Sequence, residues 1–94
     1  MAQLAPITHY GVTDHARYEM VRRHDDADIA RVLSDPEQAE LIRTGRAVYQ
    51  PRWDIGDPPS MYLLRVFVDI DREPPEVVTV YRTSQLEKYW RTEP

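Results

Sequence analysis

The chain has 94 residues, no cysteine and a formal net charge of −4. That length makes a single domain, 1–94 with 1–10 as an N-terminal arm, which buries roughly two-thirds of its unfolded surface and has little room for a deep pocket. The missing cysteine excludes a disulfide framework and thiolate chemistry, the apolar runs are far too short to cross a membrane, and no signal peptide opens the chain, so a cytoplasmic protein with no membrane partner is expected.

Overall acidity argues against a nucleic-acid binder, but its distribution tempers the argument. Residues 1–40 hold four arginines and eight acids, whereas residues 41–94 hold eight basic and eight acidic residues. Arg43, Arg46, Arg52, Arg65 and Arg82 fall on predicted strands or their ends, so a locally basic sheet on an acidic protein is allowed. Eleven of the twelve basic residues are arginine. Its planar fork suits phosphate, though GC-rich codon usage accounts for the same excess.

Met1 to Tyr10 reads as an arm, with a short extended piece at Ile7 to His9. Thr13 caps a predicted helix over 14–23, with Asp14 favourable at the positive end of its dipole. Ala16 and Met20 give that helix an apolar side, and His15, Glu19 and Arg22 or Arg23 a polar stripe. Asp25 caps a second helix whose buried side is Ile29, Val32 and Leu33 and which Asp35-Pro36 ends. A strand over 38–43 turns at Thr44-Gly45 into a second over 46–53, and a loop covers 54–60.

The central stretch is Met61 to Ile70, β-branched, aromatic and bounded by prolines. Strand side chains alternate, so Tyr62, Leu64, Val66, Val68 and Ile70 line one face, and Leu63, Arg65, Phe67 and Asp69 the other. A further strand over 76–83 adds Val78 and Val80 to the apolar face, and Val77, Thr79, Tyr81 and Thr83 to the face of Arg65. Ser84 to Glu87 matches a capping box that opens a terminal helix to about Arg91, with Leu86, Tyr89 and Trp90 available for docking. The expected fold is α+β, with two N-terminal helices on one face of a four-stranded, wholly antiparallel sheet in sequential order, and a short C-terminal helix. Tyr62, Leu64, Val66, Val68, Val78 and Val80 should be buried against Ala16, Met20, Ile29, Val32 and Leu33.

Arg65 interrupts an apolar strand, where an uncompensated buried charge is costly. It either pairs with a carboxylate such as Glu19 or faces a ligand. Thr79 and Tyr81 offer hydroxyls on the adjoining strand, although β-propensity alone favours both residue types. Histidine carries protons near neutral pH, which makes His15 a candidate with Glu19 one turn on, while such a stripe is ordinarily just a solvated face. Arg46, Tyr49 and Gln50 would extend a basic face if their strand turns that way. The histidine spacings match no zinc signature, and Asp69/Asp71 lacks the rest of a calcium loop, so no metal or cofactor is expected.

Thr13-Asp14-His15-Ala16 with Met20 and Arg23, Asp35-Pro36, Gly45-Arg46 with Tyr49-Gln50, and Val78 to Arg82 leading into Lys88-Tyr89-Trp90 together resemble a family of small bacterial proteins of unknown function. That family is similar to the BrnT and RelE toxins, ribonucleases of toxin–antitoxin modules. The resemblance spans roughly residues 8–91. It implies a RelE/BrnT-like fold, an antitoxin partner and metal-independent cleavage of RNA, free or on the ribosome. It also singles out Arg82, Lys88 and Tyr89, the first two as substrate-binding candidates, although a terminal Tyr-Trp pair more often docks a helix than stacks a base. Where the family's helix motif often has arginine four residues after its histidine, this chain has Glu19. In this reading His15 moves protons, Glu19 orients it or acts as base, Arg65 holds the scissile phosphate, Tyr81 or Thr79 positions the attacking hydroxyl, and Arg46, Thr79, Arg82 and Lys88 bind substrate. The alternative is a non-catalytic module of the same fold that grips a protein or nucleic acid.

Overall fold

The structure, a computed structural model, describes residues 4–19, 28–54 and 57–90 with their side chains, and the backbone of 20–23, 26–27 and 55. Its elements run β1 (Gly11–Val12), α1 (Asp14–Arg23), α2 (Asp26–Ser34), β2 (Gln38–Arg43), β3 (Arg46–Gln50), β4 (Arg52–Ile55), β5 (Ser60–Asp69), β6 (Glu76–Thr83) and α3 (Leu86–Tyr89). Among the described residues this is a mixed α+β fold, a six-stranded sheet with three helices. The Thr13 hydroxyl accepts the Ala16 N–H at 3.1 Å, so the first helix is capped as its sequence dictates. The expected cap at Asp25, the Met20 side chain in the core, and the Arg22/Arg23 end of the polar stripe lie outside the described residues, as does Arg91.

The strand order is β1-β6-β5-β3-β2, with β4 also on β5. The antiparallel run β2-β3-β5-β6 is the expected meander. The expectation of an entirely antiparallel, four-stranded sheet fails at both ends of the count. β1 lies parallel to β6, Gly11 opposite Glu76 and Val12 opposite Val77, so the two residues just after the arm complete the sheet, whereas the extended piece expected at Ile7 to His9 forms no strand. The predicted strand over 46–53 is cut at Pro51, which has no N–H to give the ladder, and it resumes as β4 to Ile55, two residues into the expected loop. Its register is unbroken: Tyr49 stands opposite Val66, and Arg52 opposite Leu63. Gln50 therefore faces Arg65 across the gap.

Ala16, Ile29, Val32 and Leu33 bury against Ala47, Tyr49, Leu64, Val66, Val68, Val77 and Val80 on one face of the sheet. Val77 takes the core place expected of Val78. A bulge between Phe67 and Val68 pairs Phe67 with Thr79 but Val68 with Val77, which leaves Val78 as the extra residue and flips the parity of the strand's first turn. Tyr62, also expected in the core, is only half-buried, beside Trp53. The described part of the arm, residues 4–10, is tied down by two hydrogen bonds. Ile7 N–H donates to the Leu33 carbonyl at 2.8 Å, and the Tyr49 hydroxyl to the Ala5 carbonyl at 2.9 Å.

The second face is not bare. Val48 and Leu63 are fully buried there, and the segment Leu86–Trp90 lies across it. The capping box does not form. Gln85, not Ser84, is the N-cap of α3, and no side chain caps the helix. Thr83 Oγ1 takes the Gln85 N–H at 3.0 Å instead, and the helix stops at Tyr89. So short a helix is held by what it touches on the sheet rather than by its own hydrogen bonds.

Candidate functional site

A row of polar side chains crosses four strands on the face away from α1 and α2. Cross-strand neighbours share a face, so the pairs Gln38–Gln50 and Arg65–Tyr81, with Gln50 opposite Arg65, align Gln38, Gln50, Arg65 and Tyr81. The row is bonded end to end. Gln50 Nε2 donates to Gln38 Oε1 at 2.9 Å, Arg65 Nε to Gln50 Oε1 at 2.9 Å, and Arg65 Nη1 to the Tyr81 hydroxyl at 2.7 Å. Gln50, 1% exposed, also donates to the Tyr89 carbonyl at 3.2 Å and so pins the end of α3.

Arg65 is 8% exposed. Its guanidinium carbon lies 4.2 Å from the Tyr89 ring centroid, 5.1 Å from that of Phe67 and 5.7 Å from that of Tyr81. Among the described residues no carboxylate pairs with it. Glu19, the expected partner, is committed elsewhere. A buried ion loses several kcal/mol of hydration. Two hydrogen bonds from a charged donor return about 1.5–3 kcal/mol each, and each ring contact about 0.5–2 kcal/mol. The two sides are of similar size, so the cation is tolerated without a counter-ion. Of an arginine's five N–H groups, one goes to Gln50 and one to Tyr81, which leaves three without a partner among the described residues.

Around this centre Phe67 and Tyr81 stack at 5.8 Å, Tyr81 meets Tyr89 edge-on at 6.5 Å, and Arg52 lies 4.2 Å over the Trp90 ring. Glu37 holds Arg52 through the backbone N–H at 2.7 Å and Nη2 at 3.2 Å, and these bonds lower the Glu37 pKa. The Tyr89 hydroxyl has a pKa lowered chiefly by the Lys88 ammonium, with smaller effects from Tyr81 and the Arg65 charge. The result is an arginine walled by aromatic rings beside a phenol whose pKa the Lys88 ammonium draws below its ordinary value.

The other sequence candidates divide. Thr79 is on this face, opposite Phe67, and half-buried. Lys88 is exposed next to Tyr89. Arg46 is on the face too, but at the far end of β5, where its Nε donates to Asp69 Oδ1 at 2.7 Å and holds the Asp69 carboxyl below the usual range. Arg82 stands opposite Leu64 and over the Tyr62 ring, so it lies on the helix face and does not join Arg65. His15 and Glu19 are on α1, which packs against β6. The Glu19 carboxylate takes the Val80 N–H at 3.2 Å and lies 3.6 Å from His15 Nε2, while the His15 side chain is 67% exposed. Glu19 thus seals a strand edge, and the structure does not bring this pair to Arg65.

Gln50, Phe67, Tyr89 and Trp90 also build this site, beyond the catalytic and substrate-binding candidates of the sequence. Only Gln50 carried a usable signal, a polar residue ending the apolar run Ala47-Val48-Tyr49. Scans of the chain against family models, curated proteins and solved structures each return no match. Among the described residues no helix is long and apolar enough to cross a membrane.

Proposed function

We propose that the chain is an endoribonuclease of the toxin kind, akin to the BrnT and RelE toxins that its sequence resembles, and that it works on the face of Arg65. The observation that carries this reading is the buried guanidinium with no carboxylate partner among the described residues and three uncommitted N–H groups. A phosphodiester supplies the anion this site lacks, and a planar fork binds two phosphate oxygens at once. Fixed donors aimed at developing charge are the main means of lowering such a barrier. Tyr89, with its lowered pKa, is the base that takes the 2′-hydroxyl proton. The 2′-oxygen then forms its bond to phosphorus as the bond to the 5′-oxygen breaks, and Lys88 gives that leaving oxygen a proton. Tyr81 holds Arg65 rather than the nucleophile, and Trp90 on Arg52 is a platform for a flanking base.

The proton-carrying role moves from His15 to Tyr89 because His15 and Glu19 belong to the sealed edge of β6. Purified protein in chelator should cut single-stranded or ribosome-bound RNA and leave 2′,3′-cyclic phosphate ends, and Arg65→Met and Tyr89→Phe should abolish cutting while remaining folded. Absence of cutting by folded wild type, with ribosomes present, would sink the enzyme. The second reading, a binding module, is favoured by the net charge of −4 and by the spent His15–Glu19 pair. It predicts RNA or protein binding that depends on Arg65 with no product formed.

A further inference from the structure

The two edges of the sheet are treated differently. Beyond β6 the backbone is occupied: Thr13 N–H donates to the Val77 carbonyl at 3.0 Å, Gly11 N–H to the Pro75 carbonyl at 2.8 Å, and Glu19 takes the Val80 N–H at 3.2 Å. Beyond β2, among the described residues, there is no strand. β2 carries neither proline nor lysine; its guards are the charges of Glu40 and Arg43 and one bulge, and it still exposes Leu41 by 53% and Ile42 by 46%.

Its one irregularity is informative. Glu40 stands opposite Val48, Leu41 opposite Ala47, and Arg43 opposite Arg46, with Ile42 as the extra residue. Val48 and Arg46 are two apart on β3 and share a face, so Glu40 and Arg43 also share a face although three residues separate them. A regular strand would put them on opposite faces. We infer that β2 is the interface for a second copy of this chain, pairing antiparallel with its own twin about Leu41 and Ile42. A two-fold axis there sets Glu40 of each copy opposite Arg43 of the other on one face. It sets Leu41 and Ile42 against the same pair at the centre. A carboxylate accepts several bonds, so Glu40 can take the incoming guanidinium alongside any bond within its own chain. A flat foreign strand has no extra residue to match the bulge, and an identical bulge does, so the irregularity selects for self-pairing. The contact is isologous, closes on itself and makes one sheet across two molecules.

Sedimentation from low to high micromolar concentration tests it. Wild type should reach the mass of a dimer. Ile42→Lys, at an exposed site, should stay folded by circular dichroism and weaken association by roughly tenfold or more. Arg43→Glu and Glu40→Arg should each be monomeric alone, because like charges then face each other twice, and an equimolar mixture should recover the dimer mass. A wild type that stays monomeric, an Ile42→Lys protein that dimerises like wild type, or a mixture of folded charge variants that stays monomeric would each overturn the inference.

Discussion

Gln50 faces Arg65 on the neighbouring strand, and its side-chain oxygen takes the guanidinium Nε–H at 2.9 Å while its amide nitrogen holds Gln38 and the backbone of Tyr89. One buried amide therefore fixes the arginine, the edge strand and the terminal helix together. Partners in one network are not independent, so a double-mutant cycle should expose the link. Gln50→Leu strands an arginine N–H and the Tyr89 carbonyl, and should cost about 1–3 kcal/mol. Arg65→Met strands the Gln50 oxygen but removes a buried charge, and should cost less, about 0–2 kcal/mol. The double variant has no orphan at this pair and should cost about 1 kcal/mol less than the sum. Urea unfolding of the four proteins measures it, and strict additivity would show that the bond contributes nothing.

The bulge in β5–β6 makes a sharper prediction. Val77 is fully buried and Val78 is its partly exposed neighbour. Val77→Ala should cost about 1–3 kcal/mol as a core truncation, and Val78→Ala well under 1 kcal/mol. The reverse ranking would restore the simple alternation of the sequence reading and remove the bulge.

The helices, the Thr13 cap, the meander and the face of Arg65 are legible in the sequence, because each follows from a local period or cap. Alternation from Met61 to Asp69 put Leu64, Val66 and Val68 on the core and Arg65 opposite, and counting along β6 put Tyr81 beside it. What stayed hidden depends on pairing rather than pattern. The bulge at Val78 is a two-strand event that no single strand announces. Gln50 meets Arg65 only through a hairpin whose loop is shorter than its prolines suggested. β1, at two residues, is too short for any period, and Tyr89 covers Arg65 by tertiary docking of a helix whose Ser84 capping signal goes unused.

Gly45 is a position where backbone freedom is required. Its φ is +81°, and a Cβ there would lie 2.5 Å from Asp71 Oδ2, while its carbonyl takes the Ile70 N–H at 2.9 Å. Gly45→Ala should therefore cost about 1–2 kcal/mol from φ alone, and a clash adds to it. Thermal unfolding measures the loss. An unchanged melting temperature would mean that the β2–β3 turn does not need the left-handed conformation.

Asp69 sets part of the acid stability. Its hydrogen bond to Arg46 lowers its pKa, with Arg72 and Arg43 adding a weaker pull. A depressed carboxylate contributes stability that is fully present above its unfolded value, about 3.9, and lost as pH falls through the lower folded value. Wild type should therefore lose stability below about pH 4 more steeply than Asp69→Asn, whose curve should be flatter there. Parallel curves in acid for the two proteins would show that the Arg46–Asp69 bond does not couple to folding.

An inhibitory partner would meet the same face. Its carboxylates would mimic phosphate in charge and bidentate geometry, and arginine and tyrosine are the favoured anchors of such surfaces. Losing a desolvated anchor costs about 2 kcal/mol or more, roughly thirtyfold in affinity. Arg65→Ala should then weaken RNA handling and antitoxin binding together. Arg72→Ala should affect neither, since Arg72 is exposed and engaged with Glu76 at 3.3 Å, away from the polar row. Titration of the purified partner into each variant decides the matter. Equal affinity for wild type and Arg65→Ala would place the partner elsewhere on the molecule and separate inhibition from the Arg65 face.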